Sequence, residues 1–207
     1  METKGKFIVL EGIEGCGKGT QTKLLSDFLS QKYEVLNKRY PDYGTPIGDL
    51  LSGWLHKKYE LSPEVQTLLY LADFSKDKEL VEKYRESGNM IVDDRYLNST
   101  IVYQRIKGIP LEKLLKLAEL FNLPKPDICI YIRISPEVSF KRKSAQKGEA
   151  NMDRHEEDKK FLQGIFEGYE KMAEGNIFCD WAIIDGEKSV EEVFEEIKKV
   201  LNEKLGI

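Results

Sequence analysis

The sequence has few cysteines and histidines and no long apolar run. Its 207 residues include two histidines and three cysteines, Cys16, Cys129 and Cys179. The cysteines lie far apart in the sequence, which argues against the close pairs typical of a zinc site. Their odd number, with an N-terminal segment that lacks the apolar stretch of a signal peptide, predicts a protein of the reducing cytoplasm. No apolar run approaches the roughly 20 residues of a membrane-spanning helix.

An excess of positive charge is also missing. The 32 lysines and arginines are outnumbered by 36 acidic residues, and the formal net charge is −4. A general nucleic-acid surface is therefore not expected, and any anion site must be a local basic cluster. Hydrophobic residues make up 41% of the chain and charged residues 33%, which is typical of a globular domain rather than a disordered chain.

A glycine-rich segment follows the first apolar run. Residues 7–10 are apolar without a break, which predicts a strand buried on both faces. Lys18 stands where the next helix would begin, and the glycines before it let backbone N–H groups approach an anion. The N-terminus of a helix also favours a phosphate. Gly12, Gly17 and Lys18 fit the phosphate-binding P-loop pattern G-x-x-x-x-G-K.

The P-loop departs from the general pattern at one position. A serine or threonine that binds magnesium usually follows the lysine, but Gly19 is found there and Thr20 comes one residue later. This G-K-G-T form resembles nucleoside monophosphate kinases more than switch GTPases. It leaves the role of Thr20 towards magnesium open.

The apolar pattern predicts five strands that alternate with helices. The strands are expected at residues 7–10, 33–40, 90–92, 128–134 and 181–184, and the helices include one over 18–32 and one over 63–87. This order predicts an α/β fold, a single domain over residues 1–207 in which helices cover both faces of a parallel sheet. Ligands of such sheets bind at the carboxyl ends of the strands. The P-loop, the 41–46 loop and the Asp94–Arg95 turn should therefore meet at one edge.

Lys18 and Arg95 together point to phosphoryl transfer. That reaction needs the donor and the acceptor held in line, and positive charge where negative charge develops. Lys18 and the loop amides would bind the donor phosphates, and Arg95 could bind two oxygens of an acceptor phosphate. Asp94 could orient Arg95 or help to place magnesium through water. An ion pair of Arg95 with Asp93 or Asp94 is the structural alternative.

A basic segment follows the fourth strand. Residues 141–155 have little hydrophobic content and contain Lys141, Arg142, Lys143, Lys147 and Arg154. A solvated helix face is one interpretation. The low apolar content favours the other, a mobile lid that closes over the donor phosphates and excludes water.

Four segments together resemble the thymidylate kinase family, which transfers the γ-phosphoryl group of ATP to dTMP. They are residues 7–20, Arg39–Tyr40–Pro41–Asp42 with Ile47–Gly48, residues 94–104, and residues 123–127. The resemblance extends from about residue 6 to about residue 200. It implies a three-layer P-loop kinase fold with a five-stranded parallel sheet and a short lid at about 141–155. It also implies ATP as donor, Mg²⁺, a pyrimidine deoxynucleoside monophosphate as acceptor, and a homodimer.

The resemblance also implies roles for individual residues. The donor would be bound by Gly12, Ile13, Glu14, Gly15, Cys16, Gly17, Lys18, Gly19 and Thr20, with Thr20 and, through water, Asp94 near magnesium. The acceptor would be bound by Glu14, Tyr43, Tyr70, Arg95, Ser99, Thr100, Tyr103 and Gln104. Glu14 would hold the 3′-hydroxyl group, and Tyr43 and Arg95 the phosphate. Tyr70 would stack on thymine, although plain core packing is the alternative, and Tyr103 would favour deoxyribose.

One subgroup of the family has a catalytic basic residue at the position of Gly15. This chain resembles the other subgroup, in which arginines of the lid supply that charge. Arg142 and Arg154 are therefore the predicted catalytic arginines, together with Lys18 and Arg95. Arg142 could instead stack on adenine.

The sequence departs from the family beside the predicted base site. Four residues after Tyr70 the family has an arginine that hydrogen-bonds thymine, and this chain has Phe74. The lost hydrogen bond leaves a kinase for dUMP, UMP, CMP or AMP as the near alternative. A P-loop switch protein is a more distant alternative, because the guanine motif Asn-Lys-x-Asp is not completed after Asn37–Lys38.

Overall fold

A five-stranded sheet forms the centre of the fold. In the computed structural model, which describes residues 4–147 and 159–207, the strands are β1 (Phe7–Glu11), β2 (Val35–Arg39), β3 (Met90–Asp94), β4 (Ile128–Arg133) and β5 (Trp181–Asp185). All neighbouring strands are parallel, in the order β2-β3-β1-β4-β5. The five predicted strands are confirmed, with their ends moved by a few residues. Because β1 is central, the loop that follows it lies at the middle of one sheet edge.

Helices connect the strands. Those of the described residues are α1 (Lys18–Leu29), α2 (Pro46–Leu55), α3 (Pro63–Ser75), α4 (Lys78–Glu86), α5 (Leu97–Ile106), α6 (Leu111–Leu120), α7 (Pro136–Lys147), α8 (Lys159–Glu174) and α9 (Val190–Leu205). Thr45 and Ser62 cap α2 and α3, since each side chain accepts a hydrogen bond from the N–H three residues on. Ser189 and Glu192 form the predicted capping box of α9.

The apolar strand residues form the core. Residues 7–10 of β1 are fully buried, and so are residues 128–132 of β4. Burying one such side chain stabilises the fold by about 1.5–3 kcal/mol relative to leaving it exposed. Helix α1 packs against β1, β3 and α9, and α5 packs against α8, so that helices surround the parallel sheet. The predicted three-layer α/β architecture is confirmed.

The prediction of one helix over 63–87 is wrong, because the chain breaks at Lys76 and Asp77 into α3 and α4. The Nζ atom of Lys76 lies 3.1 Å from Oδ2 of Asp42, in the loop after β2. Asp77 accepts a hydrogen bond of 3.0 Å from the hydroxyl group of Tyr40, at the start of the same loop. These contacts tie the break between the helices to that loop, which lies at the carboxyl edge of the sheet.

Candidate active site

The P-loop begins at the carboxyl end of the central strand. Gly12 and Gly17 have φ angles of 148° and 97°, in the region that favours glycine. A Cβ atom at Gly12 would lie 2.6 Å from the carbonyl oxygen of Ile132, so a side chain there would collide with β4. Lys18 is the first residue of α1, and its Nζ atom donates hydrogen bonds to the carbonyl groups of Gly12 (2.9 Å) and Ile13 (3.1 Å). The strand, turn and helix of a P-loop are therefore present, with the ammonium group held inside the loop.

Asp94 faces the start of α1 from the end of β3. A Cβ atom at Gly19 would meet its Oδ2 atom at 3.8 Å, an ordinary contact, so space does not require glycine at this position. Asp94 also forms an ion pair with Arg39 at 3.6 Å, and Thr20 is exposed. Magnesium in kinases binds through one or two protein oxygens, phosphates and water. The carboxylate of Asp94 and the hydroxyl group of Thr20 fit that chemistry.

Helix α7 packs directly on the P-loop. The hydroxyl group of Ser139 donates a hydrogen bond of 2.5 Å to the carbonyl group of Glu14, and Arg142 donates to the carbonyl groups of Gly15 (3.3 Å) and Gly186 (3.1 Å). Lys143 Nζ lies 3.7 Å from the carboxylate of Glu14. A Cβ atom at Gly15 would lie 3.5 Å from both Arg142 Cβ and Lys143 Cγ. Two basic side chains of α7 therefore border the place where the other subgroup has its basic residue.

Part of the predicted lid lies in this helix. Residues 141–147 form the last turns of α7, and their movement as a lid stays a prediction. The other residues of the predicted lid, including Arg154, lie outside the described residues. Arg142 is brought to the donor loop as predicted, and its catalytic or adenine-binding role stays a prediction.

A pocket opens beside the P-loop. Six of the side chains that line it are aromatic: Tyr40, Tyr43, Tyr70, Phe74, Tyr96 and Tyr103. Its polar lining includes Glu14, Arg95, Ser99 and Thr100. A flat, aromatic surface with a guanidinium group beside it suits a nucleobase that carries a phosphate.

The structure brings together the predicted acceptor residues with one exception. Glu14, Tyr43, Tyr70, Arg95, Ser99, Thr100 and Tyr103 all line the pocket. Gln104 is not among the residues that line it, so its role towards the substrate stays a prediction. It is fully buried one turn beyond Thr100 on α5, and its amide group donates a hydrogen bond of 3.4 Å to Gln66.

Arg95 links the pocket to the P-loop. Its backbone has a φ angle of 71°, so the chain turns sharply after β3. The Nη1 atom donates hydrogen bonds of 3.0 Å to the hydroxyl groups of Ser99 and Tyr169, and Nη2 contacts the carboxylate of Glu14. The alternative that Arg95 pairs with a neighbouring aspartate is wrong, because its ionic partners in the described residues are Glu14 and Glu11.

Glu14 lies among three cations. Burial by itself raises the pKa of this carboxyl group, but the charges of Arg95, Lys18 and Lys143 hold the pKa well below its usual range. Glu14 is therefore ionised at neutral pH. The same cluster of positive charge is what two neighbouring phosphates would need.

Sequence reasoning missed three side chains that contact the side chains of Arg95 or Glu14, namely Glu11, Lys143 and Tyr169. Glu11 ends an otherwise apolar strand and is fully buried, and this contrast was the signal available in the sequence. Lys143 belongs to the basic segment but was not singled out from it. Tyr169 falls on the apolar stripe of α8, where nothing distinguishes it from a core residue.

Phe74 takes part in the aromatic wall of the pocket. It is 2% exposed, and its ring lies 4.9 Å from that of Tyr40 and 4.8 Å from that of Tyr96. The position that carries an arginine in the resembled family is therefore filled here by ring packing.

Comparisons with known proteins agree with this geometry. The sequence model of the thymidylate kinase family matches residues 10–197. Among curated proteins, the thymidylate kinase of Thermoanaerobacter pseudethanolicus is 35% identical over 98% of this chain and 100% of its own length. That of Caldicellulosiruptor saccharolyticus is 33% identical over 98% of both chains, and a probable thymidylate kinase of Pyrococcus abyssi is 32% identical over 98% of both.

Among the described residues, no helix has both the length and the apolar content needed to span a membrane. The family match covers most of the chain, and the relatives align with it from end to end. The chain belongs to the thymidylate kinase family.

Proposed function

We propose that the protein is a dTMP kinase, which transfers the γ-phosphoryl group of ATP to dTMP and releases dTDP and ADP for dTTP synthesis. Family membership supports this reaction. The observation that carries it is the contact between Glu14 of the P-loop and Arg95 of the aromatic pocket. Because this contact joins the two sites, a donor on the loop and an acceptor in the pocket would meet at their phosphates.

The proposed reaction needs no covalent intermediate. An oxygen of the acceptor phosphate attacks the γ-phosphorus atom, and the bond from that atom to the β–γ bridging oxygen breaks. Lys18 and the loop amides bind the donor phosphates, and Arg95 binds the acceptor phosphate with its planar guanidinium group. Mg²⁺, held by Thr20 and through water by Asp94, would neutralise charge on the donor phosphates.

The aromatic pocket supports a deoxynucleotide acceptor. Tyr70 lies in its wall, where the base would stack. Tyr103 lies with its ring 5.7 Å from the guanidinium carbon of Arg95, close to where the sugar of a bound nucleotide must pass. Lys143, 3.7 Å from Glu14, adds positive charge between the two phosphates.

The proposal includes a homodimer in the cytoplasm. Leu50 of α2 and Leu68 of α3 are exposed by 48% and 54%, and the two helices pack side by side. The family resemblance implies a homodimer, and an exposed leucine on each of these neighbouring helices would suit contact with a second copy of the chain. Analytical ultracentrifugation of wild-type protein and of Leu68→Glu tests it, since the dimer should weaken in the variant.

Measuring ADP formation against dTMP, dUMP, UMP, CMP and AMP tests the function. We expect dTMP to be the best acceptor, with Lys18→Met inactive as the control for contaminating kinases. If AMP or CMP reacts about tenfold faster than dTMP, a difference of about 1.4 kcal/mol in the barrier, the base assignment is wrong. Rapid GTP hydrolysis without any acceptor would favour a switch protein.

A further inference from the structure

Glu11 is a fully buried carboxylate at the carboxyl end of β1. Its Oε1 atom accepts hydrogen bonds of 3.0 Å from the backbone N–H groups of Tyr96 and Ser99. Its Oε2 atom accepts from the hydroxyl groups of Ser99 (2.5 Å) and Tyr169 (2.8 Å). All four partners are donors, which is the arrangement that an ionised carboxylate satisfies.

The two hydroxyl groups connect this carboxylate to Arg95. A guanidinium group can only donate, so Ser99 and Tyr169 accept from Nη1 of Arg95 with their oxygen atoms and point their protons at Glu11. Burial and the nearby charge of Glu11 raise the pKa of Tyr169, which keeps its proton in place. The direct distance from Nη1 to Oε2 of Glu11 is 3.7 Å, longer than a hydrogen bond.

The same carboxylate fixes the backbone that carries Arg95. Tyr96 is the N-cap residue of α5, and its side chain makes no capping hydrogen bond. The N–H groups of Tyr96 and Ser99, at the start of the helix, are satisfied by Oε1 of Glu11. Glu11, at the end of β1, therefore caps α5, which follows β3, and holds the turn at Arg95.

We propose that Glu11 is a positioning residue for Arg95, acting through the hydroxyl groups of Ser99 and Tyr169. These hydroxyl groups hold Nη1 in place, and Nη2 is directed towards Glu14 and the pocket. This inference rests on the proposed function, because it takes Arg95 as the group that binds the acceptor phosphate. Glu11 itself does not touch the substrate.

The substitution Glu11→Gln separates the two tasks of the carboxylate. The amide oxygen can still accept from the two backbone N–H groups, so the cap of α5 and the shape of the site are retained. The amide nitrogen then faces Ser99 and Tyr169 as a donor. One hydroxyl group can still donate to the other, 3.0 Å away, but the second proton has lost its acceptor at Glu11. The two hydroxyl groups therefore hold Nη1 less firmly. We expect the affinity for dTMP to fall about tenfold, with the affinity for thymidine unchanged because thymidine has no phosphate.

The proposal is tested by isothermal titration of dTMP and of thymidine. Each ligand is titrated into wild-type protein, Glu11→Gln and Tyr169→Phe. Tyr131→Phe is the matched control, because Tyr131 is also fully buried and stacks on Tyr169 at 5.3 Å. Within the described residues its hydroxyl group takes no part in the bonds around Arg95. We expect Tyr169→Phe to weaken dTMP binding selectively, and Tyr131→Phe to leave it unchanged.

The background Arg95→Ala gives the decisive comparison. If Glu11 acts through Arg95, then Glu11→Gln causes no further loss of dTMP affinity in that background. An equal loss in both backgrounds, or equal weakening of dTMP and thymidine, would overturn the proposal. A dTMP affinity equal to that of wild-type protein in Tyr169→Phe would also overturn the proposal. This variant decides the question if Glu11→Gln does not fold. If wild-type protein fails to bind dTMP, the proposed function fails first, so the two failures are distinguishable.

Discussion

The carboxylate of Glu14 contacts the guanidinium group of Arg95, and this pair joins the P-loop to the turn after β3. The two charges neutralise each other. On the proposed function, an acceptor phosphate would offer Arg95 a second anion, and Glu14 would then become available for a hydroxyl group of the sugar. The pair would thus lie at the boundary between the two proposed substrate sites.

Arg95→Ala should chiefly impair use of the acceptor. Because the guanidinium group is expected to bind two phosphate oxygens, we expect kcat/KM for dTMP to fall about 100-fold or more. The KM for ATP should change little. Arg95→Lys should recover only part of the loss, because lysine keeps the charge but not the planar fork. Steady-state kinetics with each substrate varied checks this, and unchanged kcat/KM for dTMP would remove Arg95 from the site.

Glu14 should make the stability of the protein depend on pH in acid. Its pKa is lowered in the folded protein from an ordinary value of 4.5, so the unfolded chain binds the proton more readily. The stabilisation is therefore present above pH 4.5 and is lost as the pH falls further. Urea unfolding of wild-type protein and Glu14→Gln checks this. The difference in unfolding free energy between them should be constant from pH 7 to about pH 5 and should shrink as the pH falls below 4.5, and a difference that stays constant in this acid range would contradict the assignment.

The strands and the P-loop could be predicted because local pattern determines them. Residues 7–10 are apolar without interruption, and a strand buried on both faces requires that. The break at Lys76 could not be predicted, since Lys76 there forms an ion pair with Asp42, 34 positions earlier in the sequence. Local helix propensity depends on neighbouring residues and does not report such a contact.

Most predicted acceptor residues line the pocket of the candidate site, whereas the buried residues behind Arg95 were not predicted. Arg95 stands out in the sequence, but its neighbouring aspartates are not its partners. Its contacts reach Glu11 and Tyr169, which are 158 positions apart and meet only after β1 and α8 have packed. Gln104 lies one helical turn beyond Thr100 on the same face of α5, and its bond to Gln66 joins residues 38 positions apart, which no local pattern indicates.

Lys143→Ala should slow the chemical step. The Lys143 side chain lies beside Gly15 and approaches Glu14, where we expect charge to develop during transfer. We expect kcat to fall about tenfold or more, with a smaller change in ATP affinity. Lys141→Ala is the matched control, since Lys141 lies on the same helix and is exposed. Rapid-quench kinetics of both variants checks this, and equal rates would show that Lys143 has no catalytic role.

Arg142→Ala tests the other basic residue of the helix. Because Arg142 binds the carbonyl groups of Gly15 and Gly186, its loss should both slow transfer and loosen α7 from the P-loop. We expect a lower kcat together with faster amide hydrogen exchange in α7. A normal kcat in this variant and in Lys143→Ala would refute a catalytic contribution of α7.

Phe74→Arg should strengthen the preference for thymine and weaken the fold. The side chain lines the pocket, so a guanidinium group there can donate to the C4 carbonyl group of thymine and not to the amino group of cytosine. We expect the ratio of kcat/KM for dTMP over dCMP to rise about tenfold. Loss of ring packing with Tyr40 and Tyr96 should lower the unfolding free energy by about 1–3 kcal/mol. Phe74→Leu is the control, because it loses the same ring contacts without gaining a donor. Equal dTMP-to-dCMP ratios in the two variants would show that position 74 does not contact the base.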